Sequence, residues 1–136
     1  MMKRNMLLII LGVFSFFNYS NGQIELQFLE ASGDAGGTVD VDVTVDGMEN
    51  IGGLQFTGGW DSLVMTFNSV VSINEDLANF NINNISGPEA SGLEEGEFTL
   101  SYGNFNGEGN LPDGSVLFTL RFDLVGEECD DTELFI

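Results

Sequence analysis

Along residues 38–46 apolar and polar side chains alternate without a break. Val39, Val41, Val43 and Val45 share one parity, and Asp40, Asp42, Thr44 and Asp46 the other. Successive side chains of a strand point to opposite faces, so this segment predicts a strand with one buried and one wet face. The same period recurs downstream. Leu54, Phe56 and Trp60 oppose Gln55 and Thr57, while Phe98, Leu100 and Tyr102 oppose Thr99 and Ser101. The longest run follows Pro112-Asp113-Gly114, a turn sequence, and places Val116, Phe118, Leu120, Phe122 and Leu124 inward against Leu117, Thr119, Arg121 and Asp123 outward. Shorter strands are expected at 24–30, at 63–73, at 79–83, where Asn alternates with Phe80 and Ile82, and at 132–136. Gly, Asn and Asp clusters punctuate these segments, and no long stretch has helical period. The pattern predicts an all-β fold, a two-sheet antiparallel sandwich of about nine strands.

Composition adds an export reading. Lys3 and Arg4 precede an uncharged run from Met6 to Phe17, and Ser20 and Gly22 supply small residues before Gln23. This pattern is a secretory signal peptide over residues 1–22, cleaved before Gln23, and the run is short of the roughly 18 to 20 residues that span a bilayer. Residues 23–136 form the single domain. Its last residues, Leu134-Phe135-Ile136, read as strand, which is the pattern of a chain truncated from a larger protein.

With the leader removed, Arg121 is the only cation against 22 acids. Nucleic acid and anionic membranes are therefore excluded as partners. Cys129 is the only cysteine and has no partner for an internal disulfide. The chain has no histidine, so Ser-His-Asp and Cys-His arrangements are ruled out and no enzyme activity is expected. A carboxylate pair suited to glycoside hydrolysis is not evident either, since Glu94-Glu95 fall in a loop and Asp40 and Asp42 on a wet face.

Several segments together resemble a known family. Gly37 to Gly47, then Ile51-Gly52-Gly53-Leu54-Gln55-Phe56-Thr57, then Trp60-Asp61-Ser62-Leu63-Val64-Met65-Thr66-Phe67, then Leu111 to Leu124, occur in the order and spacing of the bacterial cohesin domain. The chain departs from that pattern at Val41-Asp42-Val43, where cohesins often carry Val-Pro-Val, and at Trp60-Asp61-Ser62, where they often carry Tyr-Asp-Pro. These changes remove rigidity at strand entries and leave the alternation intact.

The resemblance implies a nine-stranded sandwich of jelly-roll topology that binds a dockerin, a calcium-dependent helical module, on one sheet face. Such pairing tethers proteins into extracellular assemblies that degrade polysaccharides. Carried over strand by strand, it implies a docking sheet with the outward residues Gln55, Thr57, Asn79, Asn81, Asn83, Thr99, Ser101, Leu117, Thr119 and Arg121. Those positions are mostly short and uncharged, which suits protein docking; scattered polar strand residues are also what ordinary solvated surfaces show. Leu117 and Asn81 are the expected centre of the contact.

Two other functions compete with docking. A carbohydrate-binding module would stack sugar on Trp60 or Phe105, although Trp60 shares the parity of Leu54 and Phe56 and so reads as core. A structural spacer or adhesion domain of a larger surface protein needs no binding face. No cofactor is expected. Asp40 and Asp42, on one strand face, are the candidates for a structural calcium, with Glu127, Glu128, Asp130 and Asp131 a second acidic group; neither has the spacing of a dedicated calcium loop.

Overall fold

The computed structural model describes residues 23–90 and 92–136, so the signal-peptide segment 1–22 lies outside the described residues. The strands are β1 (Glu25–Phe28), β2 (Thr38–Asp46), β3 (Gly53–Gly59), β4 (Met65–Ile73), β5 (Ile85–Ser86), β6 (Glu97–Gly103) and β7 (Ser115–Leu124). They form a four-stranded sheet in the order β1-β2-β7-β4 and a three-stranded sheet in the order β3-β6-β5, with every pairing antiparallel. This is the expected two-sheet sandwich with seven strands instead of about nine. No described helix is long and apolar enough to cross a membrane.

The inward parity of each strand fills the space between the sheets. Val39, Val41, Val43 and Val45 of β2, Phe118, Leu120 and Phe122 of β7, and Phe98, Leu100 and Tyr102 of β6 are all buried. Phe98 lies at the centre, with the rings of Phe28, Phe56, Trp60 and Phe118 at centroid distances between 5.9 and 6.4 Å. Trp60 is 5% exposed and its indole Nε1 donates to the Met65 carbonyl at 2.8 Å. That bond satisfies its only polar atom, which makes a large aromatic acceptable in the core.

Three segments depart from the sequence expectation. In β7 the pairing with β2 runs Val43 to Phe118 and then Thr44 to Val116, leaving Leu117 as an extra residue in a β-bulge. A bulge inserts one residue and reverses the parity of what precedes it. Val116 is therefore turned outward at 37% exposure and Leu117 is buried at 1%, the reverse of a simple alternation.

Residues 79–83 are not a strand. Asn79 takes a left-handed backbone (φ 64°), and a 3-10 turn follows at Ile82–Asn84. Its cap is reciprocal: Asn83 N donates to Asn81 Oδ1 at 3.0 Å and Asn81 N to Asn84 Oδ1 at 2.8 Å. Short amide side chains that bond nearby backbone favour turns over ladders, and that local chemistry overrides the alternation. The third departure is 132–136, where only Phe135 pairs, in a single antiparallel bridge to Gly59.

Where the β2–β3 connection meets the turn before β7, two Asp-Gly pairs interlock. Gly47 N donates to Asp113 Oδ1 at 2.8 Å, and Gly114 N donates to Asp46 Oδ1 at 2.6 Å. Both glycines have positive φ (73° and 79°), a conformation that costs a side-chain-bearing residue more than glycine. The clamp ties the start of β7 to the end of β2.

Candidate docking face

The outer face of β3-β6-β5 is built on an unbroken register. Gln55 stands opposite Ser101, Thr57 opposite Thr99, and Ser86 opposite Thr99 on the other side. Their inward neighbours Leu54, Phe56, Phe98, Leu100 and Ile85 belong to the core or pack against it, which holds the outward set in place. Thr99 Oγ1 donates to the Phe56 carbonyl at 3.0 Å, and Asn84 Nδ2 donates to the Ser101 carbonyl at 2.8 Å. Among the described residues the side chains of Gln55, Thr57 and Ser101 have no hydrogen-bond partner within the protein. The centre of the face is thus neutral, and it retains free donors and acceptors.

One end of this face is shaped by glycine. A Cβ on Gly58 would lie 2.7 Å from Phe98 Cζ, so Gly58 faces the core. A Cβ on Gly59, which has the opposite parity, would lie 2.7 Å from Phe135 Cζ. The Phe135 ring therefore covers Gly59 on the outer face, and it is 62% exposed. Gly59 N donates to the Phe135 carbonyl at 2.8 Å and Phe135 N to the Gly59 carbonyl at 3.0 Å, while Glu97 stands opposite Gly59 on β6. Sequence reasoning did not include Phe135 or Glu97 in the site; the signal available was the Gly58-Gly59 pair inside a strand, a mark of close approach by another group.

The ten residues expected at the docking site divide into three groups. Gln55, Thr57, Thr99 and Ser101 share the face just described. Asn79, Asn81 and Asn83 are exposed in the turn that leads into β5, at the rim of that sheet and not in one of its strands. Leu117, Thr119 and Arg121 belong to β7, in the opposite sheet, so they do not join the other residues. Leu117 is removed from the surface by its bulge, and Thr119 is buried at 7% with its hydroxyl donating to Asp42 Oδ1 at 2.6 Å.

Arg121 is engaged on that opposite face. Its Nε and Nη2 donate to Asp40 Oδ1 and Oδ2 at 2.7 and 2.9 Å, a bidentate pair across β2 and β7. These hydrogen bonds, reinforced by the opposite charge, hold the Asp40 carboxyl below its ordinary range and the guanidinium above its own. Asn68 Nδ2 also donates to Asp123 Oδ1 at 3.0 Å on this sheet. The two calcium candidates, Asp40 and Asp42, are thus bonded to separate β7 partners. In the second acidic group, Asp130 Oδ2 accepts from Glu127 N at 2.7 Å, within a turn where Cys129 has positive φ (74°). Of the two candidate sugar-stacking rings, Trp60 is buried and Phe105 is fully exposed in the loop after β6.

The structure is thus an all-β antiparallel sandwich in which the polar groups of one sheet face bond one another while the central side chains Gln55, Thr57 and Ser101 of the other do not. The comparisons with known proteins agree with that class. The family model described as Cohesin domain matches residues 24–133, so the chain belongs to the cohesin family. Among solved structures, the chain is similar to the second type II cohesin module from the adaptor ScaA scaffoldin of Acetivibrio cellulolyticus. The TM-score is 0.50 at 13% identity, over 86% of this chain and 71% of that one. That likeness concerns the fold. No match is found among curated proteins.

Proposed function

We propose that this chain is a secreted, non-catalytic docking module that receives a dockerin-like partner on the outer face of β3-β6-β5. The observation that carries the reading is the contrast between the sheets. The β2–β7 face binds its polar groups to one another, whereas Gln55, Thr57 and Ser101 present theirs outward in neutral rows. A surface of free, uncharged hydrogen-bonding groups loses little on desolvation when a partner satisfies them. Family membership supports docking as the activity, and the similar structure comes from a module of an adaptor scaffoldin. In this reading residues 1–22 are the export leader, residues 23–136 the domain, and the setting an extracellular assembly that acts on polysaccharide.

The test is binding to a panel of calcium-loaded dockerin modules, comparing Gln55→Ala and Thr57→Ala with Gln27→Ala on the other sheet. The first two should weaken docking about tenfold or more, as central interface contacts do, and Gln27→Ala should leave it unchanged. Equal loss from Gln27→Ala, or capture of no dockerin, rejects the proposal. A sugar-binding reading rests on Phe105 alone, since Trp60 is enclosed; pull-down on cellulose, chitin and xylan with and without Phe105→Ala addresses it.

A further inference from the structure

We infer that the partner places a lysine or arginine side chain on the corner of the face formed by Phe135, Gly59 and Glu97; this rests on the docking reading above. The backbone N–H and C=O of Gly59 are both bonded to Phe135. Gly59 and Glu97 are therefore a non-hydrogen-bonded pair in the β3–β6 ladder, the kind whose Cα atoms lie about 4.5 Å apart and whose side chains are closest. The Phe135 ring covers the Gly59 side of that pair, so an aromatic surface and a carboxylate stand side by side, both facing away from the core.

The Glu97 carboxylate is held but not neutralised. Its Oε2 accepts from Glu94 N at 3.0 Å, which orients the group. The chain has three cations in all, Lys3, Arg4 and Arg121; the first two lie in the leader segment, and Arg121 is paired with Asp40 on the opposite sheet. No cation of the docked domain is free to meet Glu97. A partner surface that is apolar or acidic at this corner would bury the charge unpaired, an unfavourable outcome. A partner cation meets both groups at once, with its charge on the carboxylate and its stem or guanidinium plane on the ring. The neutral rows beside it, Thr57 with Thr99 and Gln55 with Ser101, then contact the uncharged part of the partner.

The experiment measures association and dissociation of the full chain with the same panel of calcium-loaded dockerin modules at 50 and 500 mM NaCl. It compares Glu97→Gln with Glu25→Gln, a charge-matched change on the other sheet. Glutamine keeps an acceptor for Glu94 N, and unchanged melting of the variant confirms that the fold is intact. The expected result is that Glu97→Gln weakens docking about fivefold or more at low salt and flattens its salt dependence, while Glu25→Gln stays within about twofold. Phe135→Leu, which keeps bulk and removes the ring, should weaken docking by a further few-fold. Equal small effects of Glu97→Gln and Glu25→Gln overturn this inference and leave docking standing, since they report only the general negative field. Failure of every module to bind at either salt concentration overturns both.

Discussion

Replacing Leu117 with alanine tests whether the β7 bulge, and not simple alternation, decides what is buried. Leu117 is 1% exposed, and it lies at the point where the β2–β7 register skips a residue. Truncating a buried leucine removes its transfer energy and leaves a cavity, which together cost about 2–5 kcal/mol. A domain of this size has a total stability of about 5–15 kcal/mol, and near 100 residues each kcal/mol shifts the melting temperature by roughly 4 °C or more. Leu117→Ala should therefore lower the melting temperature by about 8 to 20 °C.

Val116→Ala supplies the control. Val116 is 37% exposed, so the same measurement should register less than about 1 kcal/mol. Urea unfolding followed by the fluorescence of the single tryptophan, Trp60, reads both variants against the parent, because that side chain is enclosed in the native core. If Val116→Ala costs more than Leu117→Ala, the side chains follow uninterrupted alternation and the bulge is misplaced. Leu117→Asp extends the comparison. A carboxylate with no cation at that depth should unfold the domain, whereas Val116→Asp should be tolerated.

Three further outcomes follow from the same geometry. Gly58→Ala should destabilise by about 1–3 kcal/mol in urea unfolding, because its Cβ meets the Phe98 ring, while Gly53→Ala, whose nearest neighbour is a carbonyl at 3.4 Å, should cost less. The Asp40 carboxyl is held below its ordinary range by Arg121, so the pair adds stability above the unfolded value near about pH 4 and loses it as pH falls through the folded one. The gap in urea midpoint between the parent and Asp40→Asn should thus be largest above pH 5 and close on acidification; a gap independent of pH would contradict the pairing. Removing one arm of the Asp-Gly clamp, as in Asp113→Ala, leaves Gly47 N without its acceptor and should cost about 1 kcal/mol in the same assay.

The alternation in the sequence was enough to read the sandwich and most of its core, because valine and phenylalanine at period 2 have one way to be buried. It also gave the outward parity of Gln55, Thr57, Thr99 and Ser101, which holds because β3 and β6 pair without a bulge, while their grouping on one sheet came from the resemblance to the cohesin family. Where the reading failed, the cause was local. The bulge at Leu117 leaves no clear mark in the hydrophobic pattern, which continues through it as Val116-Leu117-Phe118. The asparagines at 79, 81, 83 and 84 did carry a turn signal, outweighed by the alternation of Phe80 and Ile82. Sheet membership was hidden for a different reason: which strands lie side by side depends on the long connections, and no single strand's pattern encodes its neighbour. Thr119 and Arg121 were consequently grouped with residues of the other sheet.

That placement bears on what Arg121, the one cation of residues 23–136, does. On the β2–β7 face Arg121 serves the fold, since an unpaired row of Asp40, Asp42 and Asp46 on one strand would repel itself. Arg121 offsets the first of these carboxylates, the Thr119 hydroxyl donates to the second, and Gly114 N donates to the third. All three hydrogen-bond donors, of which only Arg121 is charged, come from β7 or the turn that opens it, so the acidic face of β2 relies on its pairing with β7. With Arg121, the one cation of residues 23–136, paired on the β2–β7 face, the outer face of β3-β6-β5 is neutral along Gln55, Thr57, Thr99 and Ser101 and acidic at Glu97, so under the proposed docking any positive charge at that interface comes from the partner.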